Sequence, residues 1–173
     1  MKRPVKIFLF LLTSLALISW DRGTKEFAKE HLMNKEPLSY FHNTIRLEYV
    51  ENTGAAMSMG DDLPKAASLW LFSIIPLLIL SGVFVYAIKR SNQLSVSKLT
   101  AIALIFSGGV GNIIDRLLYD RHVADFMNVG INNFRTGIFN FADMCVTAGV
   151  VLFAIYYFRD QNIQTVPGKT DLS

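Results

Sequence analysis

The chain has 173 residues, 51% of them hydrophobic and only 18% charged, with a mean hydropathy of +0.34. That is the length of one domain but too apolar for an ordinary soluble one, so a lipid bilayer is the expected solvent. The net charge of +3 does not point to nucleic acid, because the basic residues lie between apolar runs, and the single cysteine, Cys145, sits inside such a run and permits no intrachain disulfide or metal-ligand cluster.

Crossing a hydrocarbon core takes about 20 apolar residues, and four runs approach or reach that length. The first, Ile7 to Trp20, follows Lys2, Arg3 and Lys6. It resembles a secretory signal peptide with Ser14-Leu15-Ala16 as the cleavage site, but that site lies within the apolar run, and Trp20 with Asp21 reads as an interfacial anchor at a helix end. An uncleaved first span over about 5–20 is the expectation. Residues 21–65 form the next segment, in which Ile45, Leu47 and Tyr49 alternate with Arg46, Glu48 and Val50. A period of two predicts a half-buried strand, Asn52-Thr53-Gly54 supplies a turn, and Ala55 to Met59 is expected to return as a second strand.

The second span, about 66–88, is uncharged throughout, and its Pro76 is expected to kink the helix rather than end it. The third, about 99–116, carries Ser107-Gly108-Gly109-Val110-Gly111, small residues that let a helix approach its neighbours, and ends in Asp115 and Arg116. The fourth, about 137–158, contains one ionisable residue, Asp143. The fold class expected is an all-α membrane protein, a single integral membrane domain over 1–173 with four transmembrane helices and a small extracytoplasmic β-sheet between helices 1 and 2. An even number of crossings puts both termini on one side. That side would hold 8 basic residues in 31 positions against 9 in 66 opposite, which favours cytoplasmic termini.

A carboxyl group inside a bilayer costs about 2.5 to 3.5 kcal/mol, so Asp143 requires a physical reason. The third span exits where the fourth enters, and the connection from Leu117 to Arg135 can bring Asp125 to the same membrane face. Two carboxyls about 3 Å apart do not both ionise easily. One then holds a proton and polarises a carbonyl while the other takes a proton from water, which hydrolyses a peptide without a metal or a nucleophilic side chain. On spacing alone an alternative stands beside this: Asp125 as an interfacial loop acid and Asp143 as a structural partner of Arg116.

Five short motifs bear on the choice. They are Asp21-Arg22-Gly23-Thr24-Lys25, Asn52-Thr53-Gly54-Ala55-Ala56-Met57-Ser58, Gly108-Gly109 with Gly111-Asn112 and Asp115-Arg116, Val123-Ala124-Asp125-Phe126, and Phe139-Asn140-Phe141-Ala142-Asp143. Together, and in this order relative to four spans, they resemble lipoprotein signal peptidase, also called signal peptidase II, from about Asp21 to Asp143. Met57 stands where the family has Phe, a change that keeps bulk and apolarity. The resemblance implies an aspartyl endopeptidase of the bacterial inner membrane that removes the signal peptide from diacylglyceryl-modified prolipoproteins, cutting just before the lipidated cysteine. It assigns Asp125 and Asp143 as the catalytic pair, at the extracytoplasmic face, without metal or cofactor. The implied partners are the diacylated prolipoprotein and membrane lipid, not nucleic acid, and the chain is expected to be a monomer.

The other motif residues take roles by their chemistry. Asn112 and Asn140 offer donors and acceptors to orient the aspartates or hold substrate backbone, and Arg116, one helical turn beyond Asn112, could bind a substrate carbonyl or bias the pair's charge. Interhelical bridging is the alternative for all three. Asp21 and Lys25, four apart, suit a supporting ion pair. Asn52 and Gly54 form a turn that can close over substrate. Rival functions include a proton channel or small transporter, since intramembrane acids build relays, but the second span has no ionisable residue. A serine peptidase or metal-dependent lipid enzyme would use Ser58, the lysines or His122, yet no Gly-x-Ser-x-Gly or HExxH pattern is present. A non-enzymatic assembly factor is the third.

Overall fold

The computed structural model describes residues 1–54, 59–60 and 62–165, with side chains to residue 159. Among these residues, five α-helices and four strands follow in chain order: α1 (Arg3–Leu32), β1 (Leu38–Tyr40), β2 (Ile45–Asn52), α2 (Lys65–Leu69), α3 (Ile75–Arg90), α4 (Val96–Leu118), β3 (Val123–Ile131), β4 (Phe134–Arg135) and α5 (Phe141–Thr165). A single π-helical turn, Trp70–Ile74, joins α2 to α3. Among the described residues, four helical stretches are long and apolar enough to cross a membrane: Arg3–Leu32, Lys65–Arg90, Val96–Leu118 and Phe141–Arg159.

Pro76 does not end its helix. Having no N–H, it leaves the carbonyl four residues earlier, Phe72, without its usual partner. The chain absorbs this just upstream, where the Ile75 N–H reaches back five residues to the Trp70 carbonyl. Helix α1 also runs further than its apolar stretch. It continues twelve residues past Trp20 because Asp21, Lys25, Ala28 and Leu32, spaced to share one face, are all buried. Trp20 is therefore in mid-helix and exposed, rather than at a helix end.

The helices are held at both ends. At the end that carries the N-terminus, Phe10, Phe84 and Phe106 form a triangle of tilted rings with centroids 5.4 to 6.0 Å apart. There the Lys6 ammonium donates to the Leu94 carbonyl at 2.6 Å, tying α1 to the loop between α3 and α4. In the middle the small residues of α4 let backbones approach. A methyl at Gly108 would meet the Ala142 carbonyl of α5, and one at Gly109 would sit 2.6 Å from Leu80 of α3.

At the other end lies an antiparallel sheet of order β1-β2-β3-β4. It draws on more of the chain than the segment between the first two spans, since β3 and β4 come from the connection between the third and fourth. Strand β2, the stretch with period-two alternation, pairs with β3 through Ile45 to Val129 and, past a one-residue register shift between Leu47 and Val50, through Val50 to Asp125. Its other edge pairs with β1. Ala55 to Ser58, most of the expected second strand, lie outside the described residues, and Met59 is in a turn. Ala28 and Leu32 of α1 pack with Phe126 of β3 beneath the sheet.

Candidate active site

The site is assembled where β3, the start of α5 and the C-terminal part of α4 meet. After the β3–β4 hairpin the chain doubles back along β3, and Met127 and Phe139 exchange backbone hydrogen bonds of 2.8 Å in each direction. This bridge delivers Asn140, the next residue, against Asp125. Asn140 then starts α5. Its side-chain oxygen accepts from the Asp143 N–H at 3.0 Å, and the Asp143 carboxylate accepts from the Asn140 N–H at 3.0 Å. That is the reciprocal capping arrangement of an N-cap and the third helical residue, with Asn and Asp in the two positions. Asp143 is thereby placed by the same hydrogen bonds that begin the helix.

Asp125 is 3% exposed and both of its oxygens are met by amide donors. Asn140 Nδ2 donates to Oδ1 at 2.7 Å and Asn52 Nδ2 to Oδ2 at 3.0 Å. Asn52, at the end of β2, is oriented in turn by the Gly54 N–H, which donates to its Oδ1 at 3.0 Å, an Asx turn that leaves only the NH2 to face Asp125. Burial pushes the Asp125 carboxyl from the ordinary 3.8 up to about 6. The two amide bonds oppose this shift and the charge of Asp143 adds to it.

Asp143, half-buried, is held by Asn112 as well as by Asn140. Asn112 Nδ2 donates to Asp143 Oδ1 at 2.8 Å, and Asn112 Oδ1 accepts from Asn140 Nδ2 at 3.1 Å. The two aspartates are thus joined through a pair of asparagines. Both line one cavity of about 510 Å³, with Asn52, Asn112 and Arg116 in its polar wall and Phe72, Pro76 and Val146 among its apolar residues. Water-sized and peptide-sized groups fit there, and the mixed lining suits a chain with one polar and one apolar side.

Arg116 does not take Asp143 as its hydrogen-bond partner. Its guanidinium donates to the Gly54 carbonyl at 2.8 Å and lies over the Phe72 ring at 5.9 Å, so it fastens the turn after β2 to α4 at the rim of the cavity. Asp21 and Lys25 lie behind the site, buried and paired at 2.8 Å. Asp21 also accepts from the Ala142 N–H at 2.9 Å, satisfying a free donor in the first turn of α5. Two participants went unassigned in the reading of the sequence. Asp115, 1% exposed, pairs with Lys25 at 2.7 Å and with Arg22, and Arg22 also donates to the Tyr119 hydroxyl at 2.9 Å. The signal for Asp115 is its place three residues after Asn112 on α4, next to the face that carries the site. Thr53 and Gly54 close the described part of their motif, and Ala55 to Ser58 lie outside the described residues.

Comparison with known proteins agrees with the motif order. A family profile described as "Signal peptidase (SPase) II" matches residues 13–159. A protein named lipoprotein signal peptidase in Borrelia turicatae is 35% identical over 170 residues, 94% of this chain and 95% of that one. One of the same name in Borrelia garinii subsp. bavariensis is 36% identical over 164 residues, covering 91% and 92%. A solved structure described as a bacterial membrane enzyme superposes with a TM-score of 0.75 at 25% identity over 95% of this chain and 94% of that one. A second, also described as a bacterial membrane enzyme, gives 0.73 at 28% identity over 88% and 94%. With the profile reaching all four apolar helices and relatives matched nearly end to end, this multi-pass membrane chain belongs to the signal peptidase II family.

Proposed function

We propose that the protein is an aspartyl endopeptidase that removes the signal peptide from diacylglyceryl-modified prolipoproteins, cutting just before the lipidated cysteine. Asp125 and Asp143 are the catalytic pair. The observation that carries this reading is Asn140, which donates to Asp125 from its side chain at 2.7 Å and to Asp143 from its backbone at 3.0 Å. One residue thus holds two acids to one cavity wall.

In the mechanism a water sits between the two carboxyls. Asp125, whose proton is retained to about pH 6 because its anion is poorly solvated, donates to the oxygen of the scissile carbonyl. Asp143, with its oxygens oriented by Asn112 and Asn140, accepts a proton from the water as its oxygen bonds to the carbonyl carbon. The tetrahedral adduct collapses when the nitrogen takes a proton from the pair. The C–N bond breaks, and one water has been consumed for two termini released. Apparent pKa values in such a cycle belong to the pair.

Asn52 and Asn140 keep Asp125 turned into the cavity, and Arg116 holds the turn that carries Gly54 over it. Asp21 and Lys25 support the bundle behind. Both termini lie in the cytoplasm and the site at the extracytoplasmic face of the bacterial inner membrane, where lipid chains of the substrate stay in the bilayer while its peptide meets water. The protein works as a monomer without a metal or cofactor. Purified protein given a diacylated prolipoprotein and its unlipidated counterpart tests the reading. Processing of the first alone supports it, and equal processing of both, or of neither, rejects it.

A further inference from the structure

The Lys25 ammonium is 2% exposed, paired with two carboxylates and hydrogen-bonded to one amide oxygen. It lies 2.8 Å from Asp21 Oδ2, 2.7 Å from Asp115 Oδ2 and 2.9 Å from Asn112 Oδ1. Charge balance accounts for only the first two. Arg22 also binds Asp115, so two cations already face two carboxylates. The third contact is to a neutral amide, and that amide's other end donates to Asp143 at 2.8 Å.

We infer that Lys25 is a positioning residue for the reaction: held by Asp21 and Asp115, its ammonium fixes the Asn112 amide so that the NH2 end, not the carbonyl, meets Asp143. The inference rests on the reading of Asp125 and Asp143 as the catalytic pair. An asparagine amide can turn over with almost no change of shape, exchanging its donor and acceptor ends. Shape alone does not prevent that; the chemistry of its neighbours does. An ammonium has donors and no acceptor. With the amide turned over, its NH2 would point at the Lys25 ammonium and the Asn140 NH2, and its oxygen would point at the Asp143 carboxylate. Both contacts would be repulsive.

Lys25 has no freedom to drift from this post. The Asp21 carboxylate that grips it is fixed by the Ala142 N–H of α5 at 2.9 Å and lies so close to α4 that a methyl on Gly111 would come within 2.6 Å of it. Without Lys25 the carbonyl end of Asn112 is held by Asn140 alone, through a 3.1 Å contact from an NH2 that also serves Asp125. The water-activating carboxylate would then face a donor only part of the time. A reacting group misplaced by about 1 Å can lose roughly 10²-fold in rate.

The test separates orientation from charge. Lys25→Met alone strands Asp21, so it is combined with Asp21→Asn, which leaves Arg22 and Asp115 as a balanced pair and keeps an acceptor for the Ala142 N–H. Unfolding temperature, kcat, KM and the pH profile are measured on a diacylated prolipoprotein for this double variant, for Asp21→Asn alone, and for Asp21→Asn with Lys25→Gln. The Met double variant is expected to unfold cooperatively with KM within about twofold of the Asp21→Asn parent, kcat roughly 10²-fold lower and a displaced pH profile. Gln, which can still donate to Asn112, is expected to recover part of kcat. A Met variant with parental kcat and pH profile overturns the inference, as does a loss confined to KM or to the folded fraction. Failure of the underlying reading has a different sign, turnover by Asp125→Asn or Asp143→Asn in the same assay.

Discussion

Asn140 and Asp143 hydrogen-bond each other in both directions across the first turn of α5, side chain to backbone N–H at 3.0 Å each way. The bonds that start this helix therefore also aim an acid into the cavity, and Asn140 has its NH2 left over for Asp125 and Asn112. Capping and orientation can be pulled apart by substitution. Asn140→Ser keeps an oxygen at the N-cap, whereas Asn140→Ala removes it at a cost of about 0.5 to 2 kcal/mol. Thermal unfolding in detergent is expected to rank wild type above Ser and Ser above Ala. Turnover is expected to be low in both variants, because neither supplies the NH2. A Ser variant with wild-type turnover would show that the NH2 contacts to Asp125 and Asn112 are dispensable.

The catalytic pair makes a sharper demand. Asp125→Asn and Asp143→Asn preserve shape but cannot take up or release the proton, so each is expected to lower kcat by at least about 10³-fold while the protein still inserts and unfolds cooperatively. Gel analysis of prolipoprotein cleavage by purified variants checks this. A packing or purely electrostatic role would survive the exchange far better. Addition of EDTA to the wild type is expected to leave turnover unchanged.

How much of this could be read from the residues alone depends on which solvent each segment faces. Lipid imposes long uncharged runs, so the four spans stand out. Their ends do not, because a run stops at its first charge while a helix stops when its hydrogen bonds do; α1 continues through Asp21 and Lys25 because those charges are buried against partners rather than exposed. Strand β2, whose period-two residues stand out, was visible. Strand β3 was not, since Val123, Asp125, Phe126 and Asn128 are buried on alternate sides and no polar face remains to mark the period. Within the site, the capping pair of Asn140 and Asp143 was not read from the sequence, although its three-residue spacing is that of an N-cap and the third helical residue. The choice of Asn52 and Asn140 for Asp125, and of Asn112 for Asp143, depends on the β2–β3 register and the α4–α5 approach, which no local pattern encodes.

That approach can be probed at Gly108. A methyl there would strike the Ala142 carbonyl and sit 2.8 Å from Val146, both on α5, in the stretch that holds Asp143. Overpacking of this kind costs about 1 to 3 kcal/mol. Gly108→Ala is expected to lower the unfolding temperature and to cut turnover with it, since α5 can yield only by moving Asp143. Gly82 on α3 is the control. A methyl there meets nothing within 4 Å, so Gly82→Ala is expected to be neutral or to stabilise by up to about 1 kcal/mol through helix propensity, with turnover intact.

The raised proton affinity of Asp125 has a consequence for stability that can be measured without substrate. Its carboxyl titrates near 6 in the folded protein, against 3.8 ordinarily, because burial disfavours the anion. Between those values the folded state keeps a proton that the unfolded chain has lost, so stability falls as pH rises. Below about pH 4 both states are protonated and the difference vanishes; above about pH 6 the full penalty is present, at most on the order of 3 kcal/mol. Asp125→Asn has no such proton. Its unfolding temperature relative to wild type is therefore expected to climb between pH 4 and pH 8, whatever its value at either end, as one amide contact to Asn52 or Asn140 is exchanged for a less favourable one. Parallel stability profiles for the two proteins across this range would mean that Asp125 is better solvated than its burial implies, and the assignment of Asp125 as the proton-holding partner would fall with it.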